Sequence, residues 1–339
     1  MAMNRKLFHN ESKNYMKVKI ISAPLADHQG GVNTYINAMK KYLPLHGVVL
    51  TEENDYDVIL DVGPHAYNGI PPSGCRRSVM VVHDIIPEKL FGDGYVRTER
   101  QRALYAANGV IAVSEWTKND IIHEYGITPE HIRVVHHGTY EKMDEIVAKE
   151  PELPFHTNSY LLYVGKRNQY KRFRWFLRSV APLMWVRPRL KILCTGEPFC
   201  RREWAWIFAL GLFGRVKSRC FTSLEMPSVY ANAVSLVYPS SYEGFGLPVL
   251  EAMSNGCPVV CSCSASLPEV AADAAVYFRS EDASGLREAI KMMLPSGGKR
   301  SELSIEMMRR GFARATLFSW NKCARETTEI LNTVWLRNE

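Results

Sequence analysis

The chain has 339 residues, 46% of them hydrophobic, and a formal net charge of +7 at pH 7. That length and apolar share suit about two domains with real cores. No run reaches the roughly eighteen apolar residues of a membrane span, the nearest being the short stretch Trp204–Phe213. Met1 to Tyr15 is polar, without the apolar core or cleavage site of a signal peptide, so 1–15 reads as a floppy extension of a cytoplasmic protein.

Apolar strands then alternate with helical patterns, which predicts parallel sheets covered on both faces. Strands are expected near Val18–Ala23, Val58–Val62, Val79–Val82, Val110–Val113 and Ile132–Val135, with helices near Gly31–Leu43, Val96–Ala107 and Glu115–Tyr125. The polar stretch Lys149–Asn158, with Pro151 and Pro154, reads as a linker. A second series follows at Tyr160–Val164, Lys191–Thr195, Ser235–Tyr238, Val259–Ser262 and Ala275–Phe278, with helices at Phe173–Pro182 and Pro227–Asn232. The fold class is therefore α/β: two Rossmann-like, doubly wound domains, 16–155 and 156–318, facing a central cleft. The tail from Ser301 is helical, and Ser319 is expected to cap the segment 319–339.

The eight cysteines form no CxxC pair, and Cys257, Cys261 and Cys263 read as free thiols in a reducing cytosol, not as metal ligands. Lys166 to Arg219 holds fourteen Lys and Arg against only Glu197 and Glu203, a net +12, together with four of the seven tryptophans. Such a segment favours anionic partners, among them an anionic membrane surface. No nucleic-acid-binding signature accompanies it.

The densest chemistry lies in Tyr238–Glu251. Glu243 and Glu251, with seven residues between them, bracket Gly244-Phe245-Gly246-Leu247-Pro248 at the junction of a strand and a helix. Gly244 and Gly246 are expected to let the backbone approach a ligand, and the helix N-terminus to hold an anion. Glu251, one turn inside, suits the vicinal hydroxyls of a ribose. At the end of the Tyr160 strand, Gly165 precedes Arg167 and Lys171, four residues apart, with Lys166 and Arg172 as competing cations. Fixed cations there would stabilise the charge of a departing diphosphate.

Other strand ends add candidates. Gly30-Gly31 follows the first strand, His83-Asp84 the third, and Ser114 caps the helix after the fourth; Gly196 ends a strand of the second half. His136 and His137 close the first half, and adjacent positions on a strand point to opposite sides, against joint metal ligation. Asp55-Tyr56-Asp57 spells a DxD triplet but sits before a strand, so it reads as a strand-entry turn.

The Glu243–Glu251 stretch, continuing through Glu251-Ala-Met-Ser-Asn-Gly256-Cys-Pro258, resembles the E-x7-E signature of retaining glycosyltransferases of the GT-B fold, family 4. The likeness runs over nearly the whole chain after Met16. It implies a C-terminal donor domain, an N-terminal acceptor domain and a last helix crossing back onto the latter, with Trp320 and Trp335 as packing anchors. It also implies catalytic roles for Glu243, His83, Arg167 and Lys171. Donor contacts would come from Gly165, Gly196, Gly244, Phe245, Gly246, Leu247 and Glu251; Gly30, Gly31, Asp84 and Ser114 would lie on the acceptor side. The family often has Asn-Gly where this chain has His136-His137-Gly138. The expected reaction is metal-independent hexose transfer from a nucleotide sugar to a carbohydrate or lipid-linked acceptor, without a cofactor. The Gly-x-Arg-x-x-Tyr-Lys wording at 165–171 resembles mannosyltransferases of cell-surface polysaccharide and lipopolysaccharide biosynthesis, hence GDP-mannose. UDP-glucose, UDP-GlcNAc and dTDP-rhamnose stay open as donors, as do a GT-B epimerase and a non-catalytic sensor of nucleotide sugars.

Overall fold

The computed structural model describes residues 15–22, 30–63, 77–139, 150–167 and 169–336, without the side chain of Tyr95. The extension expected at 1–15 lies outside them but for Tyr15. The strands are β1 Met16–Ile21, β2 Val48–Leu50, β3 Val58–Asp61, β4 Ser78–Val82, β5 Gly109–Ala112 and β6 Ile132–Val134, then β7 Tyr160–Tyr163, β8 Lys191–Thr195, β9 Val216–Arg219, β10 Ser235–Tyr238, β11 Val259–Ser262 and β12 Ala275–Phe278. The α-helices are α1 Gly31–Tyr42, α2 Ile86–Phe91, α3 Gly94–Ala106, α4 Glu115–Tyr125, α5 Phe173–Val186 and α6 Arg201–Ala209, then α7 Met226–Ala231, α8 Leu247–Ser254, α9 Leu267–Ala271, α10 Ala283–Met293, α11 Glu302–Ala315 and α12 Trp320–Leu336.

All strand pairs are parallel. The first sheet runs β2-β1-β3-β4-β5-β6 and the second β12-β11-β10-β7-β8-β9. In the second, the strand order reverses between β7 and β10, and doubly wound sheets bind ligands outside the strand ends at that reversal. The near-continuous apolar runs explain this: β4, β7, β10 and β11 are buried along their whole length, as strands covered on both faces must be.

Two short strands escape the sequence pattern, and one helix outruns it. Helix α5 continues past Pro182 to Val186. Proline there removes one hydrogen bond, but Pro182 and Arg178 both face solvent, where water can satisfy the freed carbonyl. The tail is two helices, and Ser319 accepts from the Lys322 N–H at 3.1 Å as an N-cap should. Helix α12 packs on α1, β3, β4 and β5, so the chain returns to the first sheet. A Cβ on Gly138 would lie 2.1 Å from the Trp320 nitrogen, so only glycine admits this return. Trp320 is fully buried there.

Candidate active site

The reversal point of the second sheet is where the sequence candidates meet. Lys171, just beyond β7, and Glu243, just beyond β10, pair at 2.6 Å, both buried. Lys171 Nζ also donates to the Tyr238 hydroxyl at 2.5 Å. An ammonium has three donors, and two are used among the described residues. Tyr238 ends β10; burial first, then Glu243, holds its hydroxyl pKa well above the usual tyrosine range, so it stays protonated. Gly165 adopts φ +115°, a turn open to glycine, and a Cβ there would be 3.7 Å from Lys171 Nζ.

Arg167 is held elsewhere in the same pocket wall. Its Nε bonds Glu203 at 2.6 Å, and one terminal nitrogen donates to the carbonyls of Glu197 and Pro198 at 2.7 and 3.0 Å. Its guanidinium also lies over the Phe199 ring, 5.0 Å from the centroid. Arg167 thus fastens the end of β7 to the turn after β8 that contains Gly196 (φ +105°) and does not touch Glu243. Of the competing cations, Arg172 pairs with Glu281 at 3.1 Å.

Glu251 sits on α8 and accepts from the Tyr230 hydroxyl at 2.7 Å. Burial raises its carboxyl pKa, partly offset by that hydrogen bond. Helix α8 starts at Leu247, directly under the Glu243 loop, and presents its positive end there.

The loop from Tyr242 to Leu247 also joins the two halves of the molecule. Ser114 and Thr117 of the first half donate their hydroxyls to the Gly244 carbonyl at 2.6 and 3.1 Å. Ser266 donates to the carbonyls of Glu243 and Phe245, at 2.9 Å each. Glu269 accepts from the Glu115 N–H at 2.8 Å and meets His136 Nε2 at 2.7 Å. Tyr242 bonds Asp120. These contacts require a correction. Gly244 and Gly246 are not glycine to admit a ligand, because protein fills both spaces. A Cβ on Gly244 would stand 1.7 Å from the His83 carbonyl oxygen, and one on Gly246 2.7 Å from Leu267. A Cβ on Gly31 would stand 3.3 Å from Leu247 of the same loop, whereas one on Gly30 would meet nothing within 4 Å among the described residues. Ser114 is an N-cap, as expected, but its hydroxyl is spent on Gly244. Asp84 accepts from the Ile86 N–H at 3.0 Å and so shapes its own turn.

His83 lies beside this loop with its ring 5.1 Å from Tyr35 and 5.2 Å from His137. Its Nε2 is buried and has no partner among the described residues, as are both ring nitrogens of His137. His137 packs against Phe245 and Trp320 at 5.0 and 5.4 Å. Burial pushes the His83 pKa down to about 4, and that of His137 well below the usual value. Both are therefore neutral at pH 7. Their sign is that of bases whose folded pKa is depressed: as pH falls below 6.5 the unfolded chain binds protons first, and stability is lost down to about 4. For His83 this amounts to about 3 kcal/mol over the window. Melting temperature is expected to drop between these pH values, and to drop less in His137→Phe; identical slopes in the two proteins would contradict it.

The other motifs resolve as structure. Asp57 accepts from the Lys17 N–H at 2.7 Å and Asp55 pairs with Lys17, a strand-entry turn as expected. No cluster of three His, Cys, Asp or Glu that could hold a metal exists among the described residues. Glu203, Tyr230 and Tyr238 are not among the site residues expected from the sequence. A tyrosine closing the β10 strand beside a paired carboxylate was the one available signal, for Tyr238.

Two doubly wound parallel sheets, with a last helix that returns from the second to the first, are the architecture of the GT-B glycosyltransferases. A profile of the group 1 glycosyl transferases matches residues 158–296, and one of glycosyltransferase family 4 matches 35–140. The chain is similar to O-antigen chain mannosyltransferase B of Escherichia coli, 30% identical over 295 residues, covering 80% of this chain and 74% of the relative. It is 29% identical over 222 residues to O-antigen chain mannosyltransferase RfbU of Salmonella typhimurium, covering 64% of this chain and 60% of that one. The fold is that of the Anabaena protein HepE, crystallised with UDP and glucose, at TM-score 0.74 and 18% identity over 94% of this chain and 100% of that one. The chain belongs to the group 1, family 4 glycosyltransferases, and it is a glycosyltransferase.

Proposed function

We propose that this enzyme moves mannose, with retention of anomeric configuration, from GDP-mannose to a carbohydrate or lipid-linked glycan acceptor in O-antigen or related surface-polysaccharide assembly. The observation that carries the chemistry is the Lys171–Glu243 pair at the β7–β10 reversal, with two of the three ammonium donors used among the described residues. The sugar assignment is supported by the two mannosyltransferase relatives.

In this reading the diphosphate lies between Lys171 and the N-terminus of α8, with Glu251 on the ribose. Glu243 faces the sugar, and the loop after it, held by Ser114, Thr117 and Ser266, keeps it in place. Neutral His83, whose buried Nε2 has no partner among the described residues, lies behind the Glu243 loop on the side of the reacting carbon. Arg167, locked by Glu203, keeps Gly165 and Gly196 in place along the donor wall and holds its charge near the phosphates. Glu243 is committed to Lys171, which suits a same-face departure better than a covalent carboxylate intermediate. The bond from C1 to the β-phosphate oxygen breaks, the acceptor oxygen bonds C1 on the same face, and its proton passes to the leaving phosphate. Lys171 and the α8 dipole stabilise that charge, so no metal is needed. The acceptor enters past Gly30, Gly31 and Asp84.

A panel of GDP-mannose, UDP-glucose, UDP-GlcNAc and dTDP-rhamnose, with nucleoside diphosphate release as readout, tests the donor. GDP-mannose is expected to be turned over fastest. Preference for a uridine or thymidine donor would overturn the sugar assignment.

A further inference from the structure

The basic, tryptophan-bearing segment forms a surface that the catalytic site does not use. Helices α5 and α6 both begin at the cleft edge of the second sheet, after β7 and β8, and run back to its opposite edge, where β8 and β9 start. Their far ends carry large apolar side chains that face solvent: Trp185 is 57% exposed, Val186 72%, Phe208 57% and Phe213 62%. They form one patch. Phe208 stacks on Phe213 at 4.7 Å, Trp204 packs on both at 6.1 Å, and the Trp185 indole N–H donates to the Leu210 carbonyl at 2.9 Å. With its one polar atom satisfied, Trp185 presents a purely apolar ring. Arg215 donates to the carbonyls of Met184, Arg187 and Leu190, at 2.8, 2.8 and 2.9 Å, and so ties the end of α5 to the turn before β9.

At this tip stand Arg187 and Arg189, just past the end of α5, with Arg178 two turns before Trp185; all three are exposed and make no ion pair among the described residues, whereas the equally exposed Arg174, Arg201 and Arg202 stand at the helix starts toward the cleft. Arg178 and Trp185 are seven residues apart on α5, two turns, or about 10 Å, on one face. That is slightly more than the Debye length of ~8 Å at physiological salt. The sole exposed acid between 173 and 217 is Glu197, at the cleft end of the helices.

We propose that this patch docks the enzyme on an anionic lipid bilayer, with Trp185, Val186, Phe208 and Phe213 entering the headgroup boundary and the arginines binding lipid phosphates. An apolar tip with an unpaired cationic collar is the composition of an interfacial anchor. Because the tip lies at the sheet edge opposite the cleft, docking leaves the donor pocket open to solvent. The proposal is independent of which sugar is transferred.

The full chain is floated with vesicles of phosphatidylglycerol and phosphatidylethanolamine, or of phosphatidylcholine alone, at low and high salt. It is expected to float with the anionic vesicles at low salt, and much less with the zwitterionic ones or at high salt. W185S/F208S/F213S and R187E/R189E are each expected to lose ~10-fold or more of the partitioning, since each cation near the surface is worth about a kilocalorie per mole. Release of nucleoside diphosphate from the donor should be unchanged in both, which shows that they fold. No flotation at low salt, or equal flotation of folded variants, would overturn the proposal; so would loss in these variants of RNA binding or self-association in place of vesicle binding.

Discussion

Lys171→Ala is expected to lower sugar transfer at least ~10²-fold, the scale of removing one preorganised electrostatic group. Two neighbouring cations are already committed: Arg167 is fixed to Glu203 and two carbonyls, and Arg172 points to Glu281. The lesion has two parts that must be separated. Lys171 stabilises the leaving phosphate, and it also neutralises Glu243, whose carboxylate would otherwise be buried and unpaired. Breaking a buried pair from one side costs about 3–5 kcal/mol in stability. Glu243→Gln keeps the shape and removes the charge, so it is the cleaner partner. Because the two act as a unit, Lys171→Ala/Glu243→Gln should be no slower than the worse single variant. Turnover measured on protein of verified fold decides this. Near-normal activity in Lys171→Ala, or losses that multiply in the double variant, would contradict the paired role.

Gly244→Ala has the second large effect. A methyl group there would sit 1.7 Å from the His83 carbonyl oxygen and 3.0 Å from the Asp84 Cβ. Backbone cannot swing aside like a flexible side chain, so the two halves must separate or the loop must leave its place. Separation would also break the Ser114 and Thr117 bonds to the Gly244 carbonyl and lift Phe245 from His137. Overpacking alone costs about 1–3 kcal/mol, with the lost interface bonds added. The variant is expected to unfold at lower denaturant and to lose most transfer activity, because Glu243 moves with the loop. Denaturant midpoint and turnover are the two readouts. A variant with both unchanged would mean that the closed arrangement contributes nothing to function.

How much of this was legible beforehand follows from the distances in sequence over which each feature is decided. Strands β8, β10, β11 and β12 were legible residue for residue because each is a short apolar run between polar turns. Strand β2 is only Val48–Leu50, and β9 is Val-Lys-Ser-Arg, a polar edge strand; neither has a local signature. The acid–glycine–acid stretch and the cations after β7 could be found since each is contiguous. The family resemblance put them in one pocket, but their direct ion pair was not legible, as Lys171 and Glu243 are 72 residues apart. The same limit hid Glu203 behind Arg167, and Glu269 and Asp120 at the junction of the halves. It also misdirected the two glycines: sequence shows that something comes close to Gly244 but not that it is the His83 carbonyl.

A crystal structure of the enzyme with GDP-mannose bears most directly on the pocket itself. The diphosphate is expected within hydrogen-bonding reach of Lys171 Nζ and over the start of α8, with the ribose hydroxyls on Glu251. A diphosphate bound anywhere else in the cleft, with Lys171 and Glu251 untouched, would contradict the assignment of this pocket to the activated sugar.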